Sequence, residues 1–200
     1  DKEHTFTCVL SSMNLEKWDE WKDTDAVYVS TVFLDCVASE FISLARNIPG
    51  MGCAVNFTTK SRALGLGTLG LHTLLQTKSI PFESLEAHML NIEIFRRLRD
   101  EAERATRWMA MQWGEPEWCR GYARRNTHLL AIAPNTSSAL ICGGVSQGIE
   151  PVVANLYNQP TSAGEIYRVN PVFLEFAKQR NEWSDSLVAQ LVSSEGSVQG

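Results

Sequence analysis

Residues Arg124–Pro151, RRNTHLLAIAPNTSSALICGGVSQGIEP, decide how the chain reads. The run His128–Ala133 (HLLAIA) is apolar and unbroken, with the length of a strand buried on both faces. Pro134 stops it, because proline lacks an N–H and fixes its own φ. Asn135, Thr136, Ser137 and Ser138 follow, then a short apolar segment, Ala139–Cys142, which Gly143-Gly144 ends. A strand, a small polar turn and a new helix start leave several backbone N–H groups unpaired at one point. Those donors, the positive end of the helix dipole and three hydroxyls suit a phosphate. The same residue types are also the usual caps of an ordinary helix, so the spacing alone leaves both readings open.

Outward from this stretch, apolar periodicity predicts a mixed α/β chain in which helix predominates. Residues 5–15 (TFTCVLSSMNL) alternate loosely and read as a short strand or extended segment holding Cys8. Lys17–Asp25 is a charged connection. Thr24 or Asp25 caps a helix to about Asn47, with Val27, Val32, Phe33, Val37, Phe41, Ile42 and Ala45 at helical spacing. IPGMG at 48–52 is a turn. A second, glycine-rich helical pattern covers roughly Lys60–Gln76. The clearest runs from Ser84 to Trp113, where Leu85, Met89, Ile92, Phe95, Leu98, Ala102, Ala105, Met109 and Trp113 form one stripe before Gly114-Glu115-Pro116. Val152–Tyr157 reads as a strand. Asn170-Pro171 starts a helix over Val172–Arg180, and Ser184 caps a last one to about Ser193. Neither repeats nor a low-complexity linker mark a domain boundary, so 1–200 reads as a single segment.

Composition narrows the function class. A net charge of −5 and a pI near 5.4, with no basic stripe, argue against direct DNA binding. No apolar run approaches the roughly 20 residues that span a bilayer, and DKEHTFTC is no signal peptide. Five cysteines without a C-x-x-C pair do not form a disulfide framework, which favours a reducing, cytoplasmic setting. The chain starts without Met and reads as a piece of something longer.

Four places could carry chemistry. Gly65-Leu66-Gly67-Thr68-Leu69-Gly70 matches G-x-G-x-x-G, but polar NFTTKSR precedes it where a dinucleotide site needs an apolar strand. The stripe Leu64, Leu66, Leu69, Leu71, Leu74, Leu75 instead suggests glycines that let a helix pack closely. Cys36, Cys53, Cys119 and Cys142 read as inert core thiols, whereas Cys8, between Thr- and Ser-flanked segments, is a candidate. His4, His72, His88 and His128 lack ligand spacing, so no metal is expected, and His88 reads as a structural histidine. Gly148-Ile149-Glu150-Pro151 could set a turn and a carboxylate beside Asn135–Ser138, and Arg124 and Arg125 read as surface charges.

These residues carry a resemblance. Thr7-Cys8-Val9-Leu10-Ser11-Ser12-Met13-Asn14-Leu15, Arg62-Ala63-Leu64-Gly65-Leu66-Gly67, Ala133-Pro134-Asn135-Thr136-Ser137-Ser138-Ala139 and Gly148-Ile149-Glu150-Pro151 resemble successive landmarks of ribonucleotide reductase large (alpha, catalytic) subunits. The phage-type class I enzymes look closest. Val169-Asn170-Pro171 and Gly196-Ser197-Val198-Gln199 continue the pattern, so it covers nearly the whole chain in order. The resemblance implies the helix-rich, C-terminal-middle part of a ten-stranded α/β barrel. It also implies reduction of ribonucleoside diphosphates to deoxyribonucleoside diphosphates, with Cys8 as one cysteine of the redox-active pair, its partner outside this segment. Asn135, Thr136, Ser137 and Ser138 match the turn that binds the substrate diphosphate. The Gly65–Gly70 region is then a packing helix and not a nicotinamide site.

The rest of the machinery implied would lie outside the 200 residues: the cysteine that becomes the thiyl radical, the tyrosine relay, the C-terminal cysteine pair and the ATP-binding, allosteric effector sites. No cofactor is expected in this segment. A di-iron/tyrosyl small (beta) subunit would supply the radical, thioredoxin or glutaredoxin the electrons, and large subunits would pair as a homodimer, without membrane or DNA contact. The segment alone is expected to be inactive. Two alternatives stand beside this: a C-terminal piece of a split subunit active only in trans, and an adenosylcobalamin-dependent reductase, which shares the barrel landmarks.

Overall fold

The computed structural model describes residues 1–161 and 164–199. The order is β1 (Val9–Asn14), α1 (Trp18–Trp21), α2 (Ala26–Ala45), α3 (Gly52–Ser61), β2 (Leu64–Leu69), α4 (Leu71–Thr77), α5 (Leu85–Trp113), α6 (Thr136–Ile141), β3 (Leu156–Thr161), β4 (Gly164–Val169), α7 (Pro171–Gln179) and α8 (Asp185–Ser193). The chain folds as two compact units. One holds Asp1–Met13, Lys17–Thr68 and His88–Ala133; the other holds Asn14–Glu16, Leu69–Ala87 and the chain from Pro134.

In the first unit, β2 is the axis. All six of its residues are buried, β1 pairs with it, and Leu130 bridges Leu66 in parallel. The Leu66 N–H donates to the Leu129 carbonyl, and the Ala131 N–H donates to the Leu66 carbonyl. HLLAIA is therefore extended and paired as expected, but it is not buried on both faces: Leu129 is buried, while His128 and Ile132 are exposed. The helical pattern expected over Lys60–Gln76 is corrected. It is the end of α3, then β2, then α4. Leu64, Leu66 and Leu69 of β2 run into the leucines of α4, and a strand buried on both faces shows no polar alternation to reveal its period.

Helix α5 runs as the stripe predicts, but its buried line is Ala87, Ile94, Leu98, Ala102, Ala105 and Met109, and the outer positions Leu85 and Met89 face solvent. Helix α2 buries Val27, Thr31, Leu34, Asp35, Ala38, Ile42 and Ala45. Twenty residues long, it has the length and apolar composition of a membrane-crossing helix, which corrects the view that no such run exists. Asp35 and Glu40 break the run in the sequence. Asp35, however, is buried in an ionic network of the same unit. It accepts from Arg62 Nε (2.7 Å) and Nη2 (2.8 Å), Arg125 Nε (3.0 Å) and Asn126 Nδ2 (2.8 Å). Arg62 reaches it from the left-handed C-cap of α3 (φ 46°), and Asn126 is fixed in turn by Thr106 of α5. Arg125 is thus no surface charge. It also donates to the Trp113 and Gly114 carbonyls, closing the end of α5.

In the second unit, β3 and β4 form an antiparallel hairpin in which Leu156 pairs with Val169 and Tyr157 with Arg168. The strand expected at Val152–Tyr157 begins four residues later, since Val152–Asn155 stays irregular. Asn170 caps α7 as expected, its Oδ1 accepting from the Val172 N–H, and Ser184 caps α8 through the Leu187 N–H. Buried Asn170 also donates to Gln76 and Asn155, which pins the hairpin's exit to α4.

Candidate active site

Cys8 stands immediately before β1 and is exposed, unlike Cys119, which is buried and whose thiol burial pushes up. Of the four cysteines read as core thiols, that description fits Cys119 only. Cys36 lies on the outer face of α2 and is exposed, and Cys53 and Cys142 are half-buried. Thr7 anchors the approach to β1 through a 2.6 Å contact with the Thr58 hydroxyl on α3. Gly65 on β2 lies beside the Cys8 thiol: a Cβ built there would stand 3.6 Å from Cys8 Sγ, 3.0 Å from Ala131 Cβ and 2.5 Å from Leu10 Cδ2. At Gly67 a Cβ would stand 2.2 Å from the Ala131 carbonyl oxygen. The glycines of Gly65–Gly70 thus let neighbouring extended chains close on β2, and Gly70 takes φ 84° to turn the strand into α4.

Asn135–Ser138 opens α6 in the second unit, with Thr136, Ser137 and Ser138 exposed. Asn135 stands at the N-cap of this helix, its carbonyl accepting from the Ala139 N–H at 2.8 Å, and its side chain makes no cap bond to it. The turn is held from below. Ala139 is buried in a small cluster with Leu69 and Val145, and Cys142 packs against it. Behind it, the Gly144 N–H donates to the Ala139 carbonyl at 2.8 Å, closing the helix in the manner of a Schellman end. From the Gly148–Pro151 side, the Gln147 Oε1 accepts from Thr136 Oγ1 at 3.0 Å. Glu150 is exposed, its carboxylate folded back over Gly148. Ser146, Gln147 and Thr73 were not singled out by the sequence. Ser146 and Thr73 bond each other across 73 residues, a separation that no local motif reveals.

The histidines do not gather. His4 pairs with Asp1, His128 with Thr127, and His88 is exposed rather than structural. His72 is half-buried, and burial holds its pKa below the ordinary 6.5; its Nδ1 accepts from the Val152 N–H, which fixes the neutral ring with its proton on Nε2. Among the described residues no group of His, Cys, Asp and Glu could hold a metal ion.

Comparison with known proteins decides the family. A model described as the ribonucleotide reductase barrel domain matches residues 1–119 and 117–200. The chain belongs to that family. Within it, the chain is 39% identical to the ribonucleoside-diphosphate reductase large subunit of Invertebrate iridescent virus 6, over 100% of this chain and 21% of that protein. It is 32% identical to a vitamin B12-dependent ribonucleoside-diphosphate reductase of Mycobacterium tuberculosis, over 97% of this chain and 29% of that one. Among solved structures, the Actinobacillus ureae class Id ribonucleotide reductase alpha subunit superposes with a TM-score of 0.90 at 40% identity, over 100% of this chain and 36% of that one. The chain therefore spans between a fifth and just over a third of these reductases. The expected fold class holds: this is a helix-rich part of the reductase α/β barrel, with β1, β2 and the extended Leu129–Ala131 segment as its sheet.

Proposed function

We propose that this chain, both units together, is a segment of the catalytic barrel domain of a ribonucleoside-diphosphate reductase large subunit. The reaction replaces the ribose 2′-hydroxyl with hydrogen. A thiyl radical formed on a cysteine outside these residues abstracts the 3′-hydrogen, the 2′-hydroxyl leaves as water, and two cysteines supply two electrons and become a disulfide. Cys8 is one of that pair. Asn135, Thr136, Ser137 and Ser138 hold the substrate diphosphate, through the N–H groups of the first turn of α6 and three hydroxyls.

The observation that carries this reading is the exposure of Cys8 and of Thr136, Ser137 and Ser138. Buried thiols are inert whereas an exposed one can react, and exposed hydroxyls on the first turn of a helix can reach a ligand. The partners follow from the same reading: a small subunit with a di-iron/tyrosyl centre as radical source, thioredoxin or glutaredoxin as reductant, nucleotide effectors bound elsewhere, a homodimer of large subunits and a cytoplasmic setting. The likeness to a protein named as B12-dependent supports adenosylcobalamin as the alternative radical source. Dependence of turnover on added small subunit or on the cobalamin separates the two.

Hydrogen exchange on the full-length large subunit tests the diphosphate turn. Saturating ribonucleoside diphosphate slows exchange of the 136–138 amides, and the parent nucleoside does not. Equal exchange with and without the diphosphate contradicts the assignment.

A further inference from the structure

Helix α4 has no side-chain cap of its own, yet its orphan donors are all taken by one short segment of the same unit. The Gly70 N–H donates to the Ser146 carbonyl at 2.7 Å and the Leu71 N–H to the Gly148 carbonyl at 3.2 Å. The His72 and Thr73 N–H groups share Ser146 Oγ at 3.1 and 3.4 Å. Ser146 returns its own N–H to Thr73 Oγ1 at 2.9 Å. Thr73 and Ser146 are each 2% exposed. Four helix donors and one reciprocal bond therefore fix the backbone on both sides of Gln147.

Gln147 itself is half-buried, and its Oε1 accepts the hydrogen bond that the Thr136 hydroxyl donates. A hydroxyl has a single proton, and while Thr136 points it at Gln147 it has none for an anion. A glutamine amide turned by half a rotation presents its NH2 instead. Gln147 then donates to Thr136 Oγ1, and the threonine proton is released toward whatever lies above the turn. We propose that Gln147 is a positioning residue for the diphosphate turn: held by the Ser146–Thr73 bracket, it sets the direction of the Thr136 hydroxyl and turns it outward when a phosphate oxygen arrives. This rests on the reading that Asn135–Ser138 binds the diphosphate. Gln147 acts on substrate only through Thr136.

The test is a double-mutant cycle in the full-length large subunit, with cytidine diphosphate as ligand and cytidine as control. Gln147→Met keeps the side-chain length and removes both donor and acceptor. It weakens cytidine diphosphate binding about fivefold, the value of one poorly oriented bond to an anion, leaves cytidine binding and the unfolding midpoint unchanged, and has no further effect in a Thr136→Val background. Unchanged diphosphate binding in Gln147→Met, or the same loss with and without the Thr136 hydroxyl, overturns the proposal. An equal loss for cytidine also overturns it, because that marks a general disturbance of the loop. If Thr136→Val and Ser138→Ala both leave diphosphate binding intact, the turn is not the diphosphate site, and the proposal falls together with that reading.

Discussion

At the residue scale, Asp35 decides how firmly the first unit is held. It draws Arg62 and the adjacent pair Arg125 and Asn126, from two separate parts of the chain, to one buried point. Burial alone raises a carboxyl pKa, but here the Arg62 and Arg125 guanidiniums beside it outweigh burial and hold it below the ordinary 3.8. Asp35→Asn leaves two guanidiniums facing a neutral amide in the interior, a change that costs about 3–5 kcal/mol when a buried pair is broken. The pH dependence has a definite sign. The folded state binds fewer protons at Asp35 than the unfolded chain, so the stabilisation is fully present above pH 3.8 and is lost as pH falls through the depressed folded value. Denaturant unfolding of both proteins should show a wide gap at neutral pH that narrows in acid. A gap under about 1 kcal/mol at neutral pH, or one that widens in acid, contradicts this account of the network.

At the scale of elements, β2 carries the heaviest constraint. The two inner glycines meet different neighbours: at Gly65 the nearest atom is the end of the Leu10 side chain, whereas at Gly67 it is the Ala131 carbonyl oxygen of the paired backbone. A side chain can swing aside, but a backbone in register cannot without breaking the ladder. Gly67→Ala is therefore expected to cost about 3 kcal/mol or more and Gly65→Ala about 1 kcal/mol, read as shifts in denaturation midpoint. The reverse order contradicts the packing. The same element shows where sequence reasoning stops. Helices α2, α5, α7 and α8 were legible because each shows a 3.6-residue stripe or a local cap such as Asn170-Pro171 or Ser184. β2 was not, because burial on both faces erases alternation and its leucines merge with those of α4. Asp35 and Arg125 could not be joined either, since 90 residues separate them.

At the scale of the molecule, the local physics of Pro134–Gly144 suited an anion, but a plain helix cap is the commoner use of such a turn. The ordered run of landmarks from Thr7 to Gln199 is the ground on which the anion site is proposed, and the barrel-domain match places the whole chain in the reductase family. Cys8 was the least legible of the candidate residues from physics alone, because nothing in its flanks distinguishes a redox thiol from an inert one. Its exposure beside β2, next to the notch at Gly65, is a property of the fold. The central claim is that this exposed thiol is one half of the reducing pair. The most direct measurement is deoxyribonucleotide formation by the full-length large subunit carrying Cys8→Ser, with its radical source and a dithiol reductant, beside substrate binding by the same protein. The account predicts that multiple turnover is abolished while ribonucleoside diphosphate still binds. Sustained turnover by Cys8→Ser at the wild-type rate would contradict it.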